Sequence, residues 1–221
     1  MIFEPKIVPL GDAALLVQLG DEIDLTINQR VHNLSFLIDA APLNGITETV
    51  PAYGTLLVHY DPLTVTHAQL LEWLHEKLEQ IGRANTKRPR QIIVPVQYGG
   101  EHGIDLEFVA SFHHLSMEEV IRIHSGRIYT VYMMGFTPGF PYMGKLDDAI
   151  VTPRLEAPRT RVAAGTVAIA GLQTGIYPVD SPGGWRLIGY TPLRLFNPKA
   201  DPPFLFSPGD EVTFTVAAHG A

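Results

Sequence analysis

Two stretches in the first third of the chain repeat their apolar residues at helical intervals. Ile27, Val31, Leu34 and Ile38 fall on one face and Leu70, Leu74, Leu78 and Ile81 on another, so the spacing predicts two amphipathic helices. The second opens with Thr66 three residues before Gln69, a capping-box spacing, and is expected to stop at Gly82. Strands are predicted over residues 6–10, 13–19, 47–52 and 55–60, with Asp61-Pro62 closing the last. This part reads as a small α+β domain.

After residue 90 the pattern shortens. A strand over 91–97 leads into a Tyr98-Gly99-Gly100 turn and two short helices, the second capped by Ser116 with Glu119 three residues on. Brief β runs follow over 127–133, 166–170, 185–188, 193–196 and 212–216. In the last of these, Val212, Phe214 and Val216 alternate with Thr213 and Thr215, which gives one buried and one wet face. Ten Gly and eleven Pro lie between Gly135 and Asp210, so this region is built from turns and short strands. Such a pattern fits a barrel or sandwich, where closure hides strand edges. The polar, basic stretch RANTKRPR over 83–90 suits a connector, dividing the chain into an α+β domain at 1–85 and a mainly-β domain at 86–221.

Composition narrows the function. The 221 residues carry 16 Lys+Arg against 23 Asp+Glu, a net charge of -7, which disfavours binding to nucleic acid or anionic membranes. The absence of cysteine removes thiolate metal sites, disulfides and any Cys nucleophile. No apolar run reaches the ~18 residues of a membrane span and the N-terminus has no signal-like apolar region, so a soluble cytoplasmic protein is expected. Acidity is concentrated early, with six basic and eleven acidic residues over 1–88. Between Lys145 and Lys199 it reverses to seven basic and four acidic, which favours an anionic small-molecule ligand there.

The densest chemistry lies in MGFTPGFPYMGK, residues 134–145, where glycines admit close backbone approach and Phe136, Phe140 and Tyr142 supply an aromatic wall; the same composition also suits a rigid hairpin end. Its G-x-x-x-x-G-K match is not a phosphate-binding loop: Leu146 replaces the Ser or Thr, Pro141 removes a donor, and Asp147-Asp148 adds negative charge. Arg154, Arg159 and Arg161 lie in a proline-stiffened segment and suit carboxylate or phosphate recognition, or else form a solvated basic edge. Gln173, Thr174 and Tyr177 are neutral donors. Gly183-Gly184 forms either a backbone N–H nest or a simple turn before Trp185. His113, His114 and His124 do not have metal-ligand spacing, and no metal site is read. His124 ends a short helix and either faces the pocket or sits as a satisfied core histidine. Neither H-E-x-x-H nor G-x-S-x-G occurs.

In order along the chain, GFTPGFPY at 135–142, Thr152-Pro153-Arg154, GLQTGIYP at 171–178 and PGGW at 182–185 resemble the family called allophanate hydrolase subunit 1, or KipI family. PVQYGG at 95–100 and IHSG at 123–126 also fit, so the resemblance covers nearly the whole chain. It implies a cyclophilin-like β-barrel after the α+β domain. The family includes the B-type component of bacterial ATP-dependent 5-oxoprolinase, which implies one part of a complex that opens 5-oxoproline to glutamate, inactive alone. A C-type subunit and a third, A-type protein would be its partners, and ATP with magnesium the co-substrate. Candidate substrate-binding residues are Phe136, Pro138, Gly139, Phe140, Tyr142, Gln173, Tyr177, Gly183, Gly184 and Trp185, with His124, Arg154 and Arg159 as candidates for catalysis. Alternatives are a KipI-type inhibitor whose partner is a histidine kinase, acting through Phe136 and Phe140, and a related allophanate or urea-amide hydrolase subunit. Prolyl isomerisation, argued from the barrel alone, ranks last.

Overall fold

In the computed structural model, which describes residues 4–83 and 89–217, backbone contacts divide the chain into two units, Met1–Arg88 and Pro89–Ala221. Most of the expected connector, residues 84–88, lies outside the described residues.

In the first unit, β1 (Lys6–Pro9), β2 (Ala14–Gln18), β3 (Ile46–Pro51) and β4 (Thr55–Tyr60) form an antiparallel sheet in the order β1-β2-β4-β3. Alternate residues Leu15 and Val17 of β2 and Leu56, Val58 and Tyr60 of β4 turn to one face, as a period of two requires. That face packs in one apolar core with Val31, Leu34 and Ile38 of α1 (Leu25–Ala40) and Leu70 and Leu74 of α2 (His67–Gln80). Asp24 caps α1 by accepting from the Ile27 amide at 3.0 Å. Buried Asn28 donates to the carbonyls of Ala52 and Tyr53, tying α1 to the β3–β4 turn. The Thr66–Gln69 capping box forms as expected. The stop does not: α2 ends at Gln80 and Gly82 lies inside a following 3-10 turn, Ile81–Arg83, a common way for a helix to tighten at its end.

The second unit is a closed seven-stranded barrel. Its strands are β5 (Gln91–Tyr98), β6 (Ile128–Met134), β7 (Pro141–Gly144), β9 (Thr166–Ala170), β10 (Gln173–Ile176), β12 (Arg186–Tyr190) and β13 (Glu211–Val216), joined in the order β10-β7-β6-β13-β5-β12-β9 and back to β10. Only the β13–β5 pair is parallel. The ribbon of β8 (Arg159–Val162) and β11 (Ser181–Gly183) stands apart from the closed ring. Helices α3 (Leu106–Phe112) and α4 (Met117–Ser125), the latter with the expected Ser116–Glu119 capping box, pack Leu106, Val109 and Val120 into the barrel core.

Four segments without a strand prediction are strands: 141–144, 159–162, 173–176 and 181–183. Each has four residues or fewer and three hold Pro or Gly, so propensity opposes them; barrel closure overrides it at 141–144 and 173–176, and mutual pairing at 159–162 and 181–183. Conversely, residues 193–196 form no strand, only a bridge from Phe196 to Phe204, because Pro192 and Pro198 interrupt the ladder on either side.

Of the apolar residues in this barrel wall, those at one parity point inward and those at the other outward. Val167 and Ile169 of β9, Ile176 of β10, Met143 of β7 and Ile188 of β12 enter the barrel core. Ala168, Ala170, Leu187 and Phe140 belong instead to a second cluster, with Val162, Tyr177 and Trp185. Strands β9 and β10 are consequently buried at every position, as a strand covered on both faces must be.

Gly165 turns the chain into β9 at φ +85°, and a Cβ there would meet the Thr191 carbonyl oxygen at 2.5 Å. Gly165→Ala is expected to destabilise the protein by about 2 kcal/mol or more, from left-handed strain plus the clash. A denaturant midpoint at or above the wild-type value would contradict this.

Candidate functional site

The outer cluster brings most of the candidate residues together. Phe140 is its hub: its ring centroid lies 4.8 Å from Tyr142, 5.2 Å from Tyr177 and 5.4 Å from Trp185, mostly edge to face. Two glycines make room for it. A Cβ on Gly175 would lie 2.8 Å from the Phe140 ring, and one on Gly183 would lie 2.2 Å from the Tyr177 hydroxyl. Gly183 is therefore a paired residue of β11 that lets Tyr177 approach, not part of an open turn. The loop from β6 to β7 is drawn in by bonds from the Gly135 amide to the Phe140 carbonyl and from the Phe140 amide to the Thr137 carbonyl, both 3.1 Å. At its tip Phe136 takes φ +66° and is 62% exposed, its ring 5.8 Å from Phe140. A left-handed non-glycine residue costs of order 1 kcal/mol or more, so the loop holds this aromatic outward at an expense the fold must offset.

Pro138 and Gly139 do not join the cluster: Pro138 is exposed, and Gly139 turns towards Phe196, Phe204 and Pro178. Gln173 is buried and, by alternation with inward Thr174, lies on the outer face. Tyr142 is half-buried and Tyr177 almost wholly buried. Burial pushes both phenols above their usual value, and Arg154 pulls each back.

The arginines separate by their partners. Arg159 donates to Asp105 at 2.9 Å and to the Trp185 carbonyl at 3.4 Å. Asp105, only 6% exposed, also accepts from the Leu187 amide at 2.7 Å and lies 3.9 Å from Arg186, whose guanidinium sits 3.8 Å over the Phe108 ring. Arg161 pairs with Asp180 at 2.6 Å. Exposed Arg154 has no carboxylate partner among the described residues and lies 5.8 Å from the Trp185 ring centroid. Asp105 is the residue that sequence reasoning missed. Its buried carboxylate holds two arginines distant in sequence, and no local spacing signals that.

His124 takes the second of its two alternatives. It is 0% exposed inside the barrel, with Nδ1 2.7 Å from the Tyr98 hydroxyl and Nε2 2.8 Å from the Thr174 hydroxyl. Burial lowers its pKa to about 3, so the ring is neutral, and both nitrogens are engaged away from the outer cluster. This arrangement gives it a packing role rather than contact with a solvent-borne substrate.

Two open clefts lie elsewhere. One, of about 480 Å³, runs between Gly165, Pro178, Asp180, Tyr190 and Arg194; the other, of about 360 Å³, lies on the first unit beside Trp73. No group of three or more His, Asp or Glu among the described residues can hold a metal ion. The G-x-x-x-x-G-K match folds into β7, with Pro141 opening the strand. Among the described residues no helix is long and apolar enough to cross a membrane.

A family model described as carboxyltransferase domain, subdomain C and D, matches residues 5–206. The chain is 43% identical over 219 residues to the B-type component of 5-oxoprolinase from Bacillus subtilis, covering 95% of this chain and 91% of that protein. With the corresponding 5-oxoprolinase component of Haemophilus influenzae it shares 41% identity over 211 residues, covering 96% and 97%. Among solved structures it is similar to TTHA0988, at 39% identity and TM-score 0.83, over 94% of this chain; it spans only 40% of that longer chain. These matches agree with the resemblance read from the ordered motifs.

Two expectations follow from the geometry. Asp105→Ala leaves Arg159 and Arg186 without their shared carboxylate and should lower unfolding free energy by about 3 kcal/mol, whereas Arg161→Ala, at an exposed pair, should leave the urea midpoint unmoved. Equal effects would refute the distinction. His124 has its folded pKa below the unfolded one, so its contribution is full above pH 6.5 and is lost as pH falls towards 3. Below pH 6.5 the wild type should lose stability faster than His124→Gln, by a slope approaching about 1.4 kcal/mol per pH unit, measured by urea unfolding; parallel profiles would contradict a neutral buried imidazole.

Proposed function

The chain belongs to the family of carboxyltransferase domains, subdomains C and D, and from that membership we propose that it is the B-type component of a cytoplasmic 5-oxoprolinase, opening 5-oxo-L-proline to L-glutamate with ATP hydrolysis. The observation that carries this reading is the identity above 40% to proteins of that name over nearly the full length of both partners. A match of that extent includes the outer cluster as well as the core. The geometry supports it: the half-buried Tyr142 ring stands edge-on to the nearly buried Trp185 ring, both pack on Phe140, and the exposed Arg154 guanidinium lies 5.8 Å from the Trp185 ring centroid, an aromatic rim beside a cation that suits a small amide carrying an anionic group.

The lactam amide is resonance-stabilised, and phosphorylation of its oxygen by ATP, releasing ADP, makes the ring carbon open to attack by water. The tetrahedral adduct then breaks its C–N bond to free the amine and leave an acyl phosphate, and a second water releases phosphate and the glutamate carboxylate, which divides one high barrier into smaller ones. The glycine–lysine match folds as a strand that begins at Pro141 and so offers no phosphate-binding loop. In this reading the chain's share is to bind and orient the lactam. The nucleotide and the remaining catalytic groups come from the partner subunits, of C type and A type.

A second reading, inhibition of a histidine kinase, draws on Phe136, which is held outward in a strained backbone where a protein partner can reach it. One assay separates the two. Purified chain with ATP and 5-oxo-L-proline should release no glutamate alone, and should release glutamate and ADP in equal amounts once the partner subunits are added. Glutamate from the chain alone would refute the shared site. No glutamate from a folded, assembled mixture would refute the oxoprolinase reading and direct attention to kinase inhibition or another amide.

A further inference from the structure

We propose that Arg154 is the residue that reads the carboxylate of the substrate, and that Arg159 and Arg186 are struts that hold the aromatic cluster beside it; this rests on the oxoprolinase reading and assigns its specificity. Arg154 and Arg159 look equivalent in sequence, and Arg186 shares a carboxylate with Arg159. Their partners make them different. Asp105 accepts from Arg159, lies near Arg186 and also takes the Leu187 amide, so that carboxylate is consumed in fixing β8 and α3 against β12. Arg159 additionally donates to the Trp185 carbonyl, which sets the height of the indole. Drawing Arg159 to a second carboxylate would cost the buried Asp105 its one hydrogen-bonded guanidinium among the described residues, and Arg186 is held by the Pro153 carbonyl and the Phe108 ring.

Arg154 is presented instead of consumed. The chain on each side of it is fastened: the Gly171 amide donates to the Thr152 carbonyl at 2.8 Å, Arg186 Nε donates to the Pro153 carbonyl at 3.2 Å, and the Leu155 amide donates to the Gly184 carbonyl at 2.8 Å. Proline at 153 fixes one more backbone angle. The strap is thus rigid up to the Cα of Arg154, and only the side chain must be ordered by a ligand. That side chain is exposed, with its guanidinium carbon 5.8 Å from the Trp185 ring centroid and no carboxylate partner among the described residues, so its fork of N–H donors is available to a ligand carboxylate. Its charge reaches the Tyr142 and Tyr177 phenols, which puts it at the rim of the same cluster. The site therefore takes a small monocarboxylate with a flat ring, the carboxylate on Arg154 and the ring against the half-buried edge of Tyr142.

The test uses the assembled complex with ATP and two substrates, 5-oxo-L-proline and 2-pyrrolidinone, which is the same lactam without the carboxylate. Arg154→Gln should raise KM for 5-oxo-L-proline at least tenfold with kcat within about twofold, since the contact is to a group that does not react. Arg154→Lys should recover part of the loss. Inhibition or turnover by 2-pyrrolidinone should be the same in all three proteins. An unchanged KM in Arg154→Gln, or an equal loss towards 2-pyrrolidinone, overturns the assignment. If the wild-type complex makes no glutamate, the functional reading fails, and the subsite is then decided by titrating 5-oxo-L-proline against Trp185 fluorescence in the Trp73→Phe chain. Quenching that Arg154→Gln abolishes sustains a carboxylate site there; quenching unaffected by the substitution, or none at all, overturns it.

Discussion

The second unit depends on one constraint: a wall of the barrel, β12-β9-β10-β7, is apolar on both sides. A barrel ordinarily needs only its inner face to be apolar. Here the outward residues are Ala168, Ala170, Gly175 and Leu187, small enough or apolar enough to accept a second layer. Burying Phe140, Tyr177 and Trp185 on that wall contributes roughly 1.5–3 kcal/mol each. The layer is therefore part of the fold, with Tyr142 half-buried at its edge and Phe136 exposed beyond it. The side chains that bind on this reading are immobilised by the same packing that holds the barrel shut.

Charge is placed in the same economical way. Asp105 is nearly enclosed and is tolerated because its oxygens receive a backbone amide and a guanidinium. It joins the start of α3 to β8 and β12, three elements that the barrel order alone does not bring into register. A second buried carboxylate, Asp210, works similarly at the start of β13, where it pairs with Arg90 and accepts from the Ser207 amide at 2.6 Å. In both cases a residue just before a secondary-structure element fixes where that element begins.

How much of this was legible in the sequence follows from the range of each interaction. The helices of the first unit and its four strands announce themselves because their apolar residues repeat within one element, and the Thr66 and Ser116 caps because three residues suffice to make them. The family was legible because its motifs occur in order. The strands at 141–144 and 173–176 were not, since glycine and proline there read as loop residues; they serve as spaces for Phe140 and for the turn into β7, a role visible only once the partner ring is in place. The aromatic members of the candidate site could be listed from composition. The sorting of its arginines could not, because Asp105 lies 54 residues from Arg159 and 81 from Arg186 in the numbering. His124 shows the opposite difficulty: its helix-end position is local, but whether it faces solvent or Tyr98 depends on barrel closure.

On the proposed reading, an exposed guanidinium at the rim of a mostly buried aromatic cluster gives a physical reason for a partner subunit. A carboxylate about 4 Å from Arg154 in open solvent gains about 1 kcal/mol, because water screens both charges; at the effective dielectric of a partly covered surface the same pair gains about 4 kcal/mol. Aromatic contact adds to this only over the area that water leaves. The rigid strap under Arg154 lowers the ordering cost but does nothing to exclude solvent. On that reading, tight and selective binding of a small lactam therefore requires a second surface laid over Arg154, Tyr142 and Phe136. Phe136, held outward against its backbone preference, is where that surface would first make contact. On the proposed reading, the partner subunit would supply the low dielectric that makes Arg154 effective.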